Sequence, residues 1–150
     1  MDATDRQLVF LLQQDSRLPN AQLAEKLNIS ASACWRRVKA LEQAGVIKRY
    51  AAVVDPKAMG LGFEARFQVH LTRHDASALA SFIRAIQSRT EVTECFATTG
   101  QADYHLRVLC RDIDAYNAFL ESFLFLHPAV NSATTNVILR QIKSDAPITG

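Results

Sequence analysis

No apolar run in the 150 residues approaches the roughly 18–20 needed for a bilayer-spanning helix, so no membrane partner is expected. The N-terminal MDATDRQLV is acidic and lacks a basic leader region, which argues against a secretory signal. Cysteine is scarce: Cys34, Cys95 and Cys110 are odd in number, widely spaced and without a CxxC pair. A disulfide framework or zinc knuckle is therefore not expected, and a reducing cytoplasm suits the chain. Missing too are GxSxG, a Walker A loop, HExxH and any metal-spaced Cys/His cluster, and His70, His74, His105 and His127 are scattered. These absences count against an enzyme, a metal or a bound cofactor. Cys95 and Cys110 fall among apolar strand residues and read as buried structural thiols.

Charge of one sign is also lacking overall, at a net +2, but it is unevenly spread. Residues 1–54 carry eight Lys/Arg against five Asp/Glu, whereas residues 55–150 carry nine against ten. The first third is thus the basic part, which favours an anionic partner there.

The N-terminal third reads as three helices. Thr4 and Gln7 have the form of a capping box opening a helix through about Gln14, with Leu8, Leu11 and Leu12 as its apolar stripe. Pro19 and the candidate cap Asn20 precede a second helix over about 21–27. Ser30 caps a third that runs to about Ala44, where Gly45 is placed to terminate it. The following VIKRYAAVV reads as a strand or short hairpin. Domain boundaries are placed at 1–54 and 63–150, with 55–62 as linker.

The remainder alternates strand and helix as β-α-β-β-α-β. FEARFQVHLT puts Phe63, Ala65, Phe67, Val69 and Leu71 on one face; DASALASFIRAIQS spaces Leu79, Phe82, Ile83 and Ile86 as a helical stripe. EVTECFATT and DYHLRVLCR follow as strands, residues 113–126 as a helix, and VNSATTNVILRQIK as the last strand. The fold class is α+β: a winged helix-turn-helix and a ferredoxin-like sheet with both helices on one face. The uncovered face is either solvated or covered by a partner subunit. The tail SDAPITG looks poorly anchored.

Turning Cys34, Val38 and Leu41 inward leaves Ser32, Arg36, Lys39 and Gln43 outward at about 100° per residue. Trp35 flanks that face, and Arg37 lies nearer the buried side. This is the arrangement of a DNA recognition helix: Arg and Lys reach phosphates or guanine edges, and Gln pairs with adenine. Lys48 and Arg49 would add backbone contacts as a wing. The candidate DNA-facing set is Ser30, Ser32, Trp35, Arg36, Arg37, Lys39, Gln43, Lys48 and Arg49, with double-stranded DNA as partner. An architectural protein that compacts DNA without sensing a ligand is the alternative.

Residues 5–62, with the LAEKLNIS turn, CWRRVKALEQAGVI and DPKAMGLG, resemble the N-terminal half of the Lrp/AsnC (leucine-responsive/asparagine, feast/famine) regulators. The second half is similar too, through ECFATTGQADYHLRV, DIDAYNAFL and PAVNSATTNVIL, so the resemblance covers essentially the whole chain. Asn28 replaces the family's turn glycine, a minor departure because Asn tolerates a left-handed conformation. The loop TTGQADY offers Thr98 and Thr99 hydroxyls, close backbone approach at Gly100, and Asp103 for an ammonium; a plain hairpin turn would also need its glycine. The resemblance implies that the second domain is an effector-binding and oligomerisation (RAM, ACT-like) domain. It implies an amino acid as allosteric effector at Thr98, Thr99, Gly100, Gln101, Ala102 and Asp103, with Thr134 and Asn136 nearby. It further implies a homodimer and a higher assembly such as an octamer.

Overall fold

The computed structural model of the chain describes residues 1–72 and 76–149. Two units separate: Met1–Val53 together with the tail from Ile142, and Val54–Gln141. The tail thus joins the first unit, whereas the sequence alone places it with the second domain. It is also held there: Gln13 Nε2 donates to the Ile148 carbonyl at 3.0 Å, and the Ile148 N–H donates to Gln13 Oε1 at 2.8 Å.

The first unit is built from α1 (Ala3–Gln14), α2 (Asn20–Lys26) and α3 (Ala31–Gln43). Leu8, Leu23, Ala24, Cys34 and Leu41 are buried at its centre, with Leu11, Leu12, Leu27, Val38 and Ile47 packed around them. The cap of α1 is not the expected Thr4/Gln7 pair but Asp2 with Asp5, two residues earlier. Asp also accepts from free N–H groups at a helix start, and its charge suits the positive end of the helix dipole. Asn20 does not cap α2, whose N-cap is Pro19; its side chain instead donates to the Ala31 carbonyl at 2.8 Å, tying α2 to the start of α3. Asn28, at φ 53°, takes the left-handed turn between them.

Gly45, at φ 71°, ends α3: its N–H donates to the Glu42 carbonyl and the Val46 N–H to that of Leu41, both at 3.0 Å. This is a Schellman closure, which satisfies carbonyls that the last turn leaves open. Beyond it the expected strand or hairpin is not formed, and residues 48–55 have neither helix nor strand. β-branched residues favour a strand only where another strand receives the hydrogen bonds, and here Val53 and Val54 stay exposed.

The second unit opens with a turn over 55–62, closed by the Leu61 N–H on the Pro56 carbonyl at 2.8 Å. Then come β1 (Phe63–Leu71), α4 (Ala76–Ser88), β2 (Val92–Ala97), β3 (Tyr104–Cys110), α5 (Ile113–Phe119), a π-helical turn (Leu120–Leu124) and β4 (Val130–Val137). The four strands form one antiparallel sheet in the order β2-β3-β1-β4, the expected ferredoxin-like arrangement. The expected start of α4 at Asp75 lies outside the described residues, as does His74.

Alternation along β1 buries Ala65, Phe67 and Val69 under Phe82, Ile86, Tyr116, Phe119 and Leu124. Each of the larger side chains contributes about 1.5–3 kcal/mol by leaving water. Leu79 and Ile83, expected in the α4 stripe, are more than a third exposed, because the contact with the sheet is only as wide as Phe82 and Ile86. Cys34 and Cys110 are buried, and burial pushes both thiols up, away from thiolate character. Cys95 is exposed, contrary to expectation, since β2 is an edge strand that the helices do not fully cover.

Two outcomes follow from these turns. Gly45→Ala should cost about 1 kcal/mol of stability, read as a lower urea midpoint, because alanine resists a positive φ; an unchanged midpoint would mean that the turn can re-form without it. Asp112 caps α5 by accepting from the Ala115 N–H at 2.8 Å, and that bond, helped by Arg111, holds its carboxyl below the usual range. Its stabilisation is therefore present above the ordinary carboxyl value of about 3.9 and is lost as pH falls through the lowered one. The stability gap between wild type and Asp112→Asn should close as pH falls below about 4; a gap independent of pH would contradict this.

Candidate functional site

The outward face of α3 is fixed by what is turned in. With Cys34 and Leu41 buried, Ser32, Trp35, Arg36, Lys39 and Gln43 are exposed, and Trp35 keeps 56% of its surface in water. Ser30 sits at the helix start, its hydroxyl accepting from the Ala33 N–H at 3.2 Å and lying 3.2 Å from that of Ser32. Arg36, Lys48 and Arg49 are exposed and enter no ion pair among the described residues.

Two cations of the predicted set are engaged within the chain. Lys39 Nζ lies 2.7 Å from Glu42, whose other oxygen accepts from the Tyr50 hydroxyl at 3.0 Å. Lys39 and then Tyr50 hold the Glu42 carboxyl below its ordinary range. Arg37, counted from sequence among the DNA-facing cations, instead points at the start of α1: Nη1 lies 2.8 Å from Asp2 and 2.7 Å from Asp5. Sequence reasoning missed these two carboxylates as partners. Their spacing of three residues, which makes the capping box, was the available signal.

The second candidate region lies at the β2–β3 turn. The Thr98 hydroxyl donates to the Ala102 carbonyl at 2.8 Å, and the Thr98 N–H to the Asp103 carbonyl at 3.0 Å, closing the loop. Gly100 has φ 148°, within the range that favours glycine, and Thr99 and Gln101 are exposed. One Asp103 carboxylate oxygen accepts from the Leu71 N–H at 2.8 Å and anchors the loop to β1. Ala102 is buried beneath it.

Thr134 and Asn136 stand opposite Gln68 and Arg66 of β1, on the sheet face away from the helices. That face carries a charge network: Arg107 binds Glu64 through two bonds of 2.7 and 3.2 Å and reaches Glu94 at 3.4 Å, while Arg66 lies 2.7 Å from Glu94. Glu64, ahead of Glu94, pushes the Arg107 guanidinium further above its ordinary range. His70 shares the face, and its Nδ1 is buried without a hydrogen-bond partner among the described residues. No group of three metal-ligating side chains occurs among the described residues, and no helix there is long and apolar enough to cross a membrane.

Both regions lie in segments that match known families. Residues 1–48 match the winged helix-turn-helix DNA-binding family model, and residues 64–148 match that of the Lrp/AsnC ligand binding domain. The transcriptional regulator AzlB of Bacillus subtilis is 32% identical over 93% of this chain and 88% of its own length. The leucine-responsive regulatory protein of Escherichia coli is 30% identical over 95% and 87%. Among solved structures, a Neisseria meningitidis transcriptional regulator in complex with L-Met superposes with a TM-score of 0.94 at 34% identity, over 99% of this chain and 96% of that one. E. coli AsnC does so at 0.87 and 28%, over 96% and 95%. The chain belongs to the Lrp/AsnC family of DNA-binding transcriptional regulators.

Proposed function

We propose that this chain is a cytoplasmic, sequence-specific regulator that lays α3 in the major groove of double-stranded DNA and changes its assembly when a small amino acid binds near residues 98–103. The observation that carries the first part is the exposed Arg36, unpaired among the described residues, on the same face as Gln43, Ser32 and Trp35 and opposite Cys34 and Leu41. Arg36 serves a phosphate or a guanine edge, Gln43 an adenine edge, and Ser30 and Ser32 the backbone. Lys48 and Arg49 supply the salt-dependent attraction. Lys39 joins them by exchanging Glu42 for a phosphate, and Trp35 packs its ring against the sugar-phosphate chain.

The amino-acid reading is supported by the neisserial relative in complex with L-Met and by the loop itself. Glycine at Gly100 admits a close backbone approach, and exposed Thr99 and Gln101 offer polar atoms. Thr134 and Asn136 lie on β4, which β1 separates from β3, so within one chain they do not adjoin the loop. Homodimers form when a second copy covers the open sheet face, where Glu64, Glu94, Arg66 and Arg107 already neutralise one another. Burying a mutually paired network costs far less than burying single charges. A ligand at a junction between dimers then shifts assembly through its differential affinity for the two states.

The test has two parts. Arg36→Ala should flatten the slope of log affinity against log salt by about 0.9, the loss of one phosphate contact, or relax one base preference; neither change would reject α3 as the DNA face. The twenty amino acids are titrated against sedimentation and DNA affinity, with at least one expected to shift both. Indifference to all twenty would leave the architectural alternative standing.

A further inference from the structure

The cation next to Arg36 has a different role, and the geometry says which. Arg37 Nη1 is shared between Asp2 Oδ2 at 2.8 Å and Asp5 Oδ1 at 2.7 Å. The remaining oxygens of the same carboxylates close the α1 capping box: Asp2 Oδ1 accepts from the Asp5 N–H at 2.8 Å, and Asp5 Oδ2 from the Asp2 N–H at 2.9 Å. Four charge-assisted hydrogen bonds therefore form one closed ring joining the first turn of α1 to the middle of α3. The Asp5 and Arg37 side chains are partly shielded, at 17% and 34% exposed, whereas that of Asp2 is 55% exposed.

Apolar packing alone leaves a helix some freedom. Cys34 and Leu41 set which stripe of α3 faces inward, but dispersion contacts are non-directional and permit small rolls about the axis. Charge-assisted hydrogen bonds from one guanidinium nitrogen to two carboxylates are directional, and they lie beside that stripe. Base-edge contacts at the major groove tolerate little roll, because their hydrogen bonds weaken steeply away from linearity.

We propose that Arg37 is a positioning residue: held by Asp2 and Asp5, it sets the roll of α3 so that its neighbours read base edges, and it makes no DNA contact itself. The inference rests on the reading of α3 as the DNA-facing helix. It carries a sign opposite to simple electrostatics. Neutralising two carboxylates in a DNA-binding unit should tighten binding if charge alone mattered, and should free Arg37 to add a phosphate contact. If the ring positions α3, the same change weakens recognition.

The probes are the tightest-binding duplex selected from a random-sequence pool and a scrambled duplex of equal composition, titrated with the full chain over a range of KCl. Arg37→Ala and the double variant Asp2→Asn/Asp5→Asn should each lose about tenfold for the selected duplex, roughly the cost of one mismatched base pair, and less than about twofold for the scrambled one. Their salt slopes should match wild type, whereas Arg36→Ala alters slope or base preference. Arg37→Lys, which keeps one charged bond to the carboxylates, should retain most of the discrimination lost by Arg37→Ala, and this separates positioning from failure to fold. A slope reduced by about 0.9 in Arg37→Ala, or tighter selected-duplex binding by the double asparagine variant, would overturn the proposal. Unchanged binding in both Arg36→Ala and Lys39→Ala would instead reject the underlying reading of α3, whatever Arg37 does.

Discussion

The outward face of α3 depends on the small apolar seam of the first unit. Leu8, Leu23, Ala24, Cys34 and Leu41 are its buried residues, and they come from all three helices. A helix can turn only one stripe inward. Once Cys34 and Leu41 occupy that stripe, rotation by about 100° per residue places Arg36 and Gln43 in water. The polar face of α3 is thus a consequence of core packing, and side chains at fixed angles on a rigid helix are what base reading requires. The ring through Asp2, Asp5 and Arg37 adds direction to a seam that has none of its own.

The second unit obeys the same one-sided logic with a different period. Alternation along β1 sends Phe67 and Val69 to the helices and Arg66 and Gln68 to the opposite face. On that face, acidic and basic residues from β1, β2 and β3 satisfy one another. The surface is polar without being strongly charged, unlike the outward face of α3. The loop at 98–103 is anchored at both ends, by Thr98 and by Asp103 on Leu71, so its middle is presented rather than free to drift.

Much of this was legible in the sequence. Period-2 and period-3.6 patterns located the strands and helices because burial on one face leaves a regular signature. Gly45 and Asn28 marked turns because few residues accept a positive φ. What the sequence withheld were choices between equivalent local partners. Thr4/Gln7 and Asp2/Asp5 are both acceptable caps, and the pair that forms also binds the Arg37 side chain, which is distant in sequence. Segment 46–54 has strand propensity but pairs with no strand among the described residues, and propensity carries no information about neighbours. Leu79 and Ile83 fit the stripe of α4, yet the width of the sheet contact decides which apolar residues it covers. At the candidate effector loop, the residue types were readable, whereas the use of the Asp103 carboxylate by the Leu71 N–H depends on strand register.

The most direct measurement is contact probing of the bound duplex by methylation. If α3 occupies the major groove, methylating guanine N7, which lies there, should block binding at discrete positions, and some of those should lose their effect in Arg36→Ala. Interference confined to adenine N3 in the minor groove, with guanine N7 methylation tolerated throughout, would contradict the account.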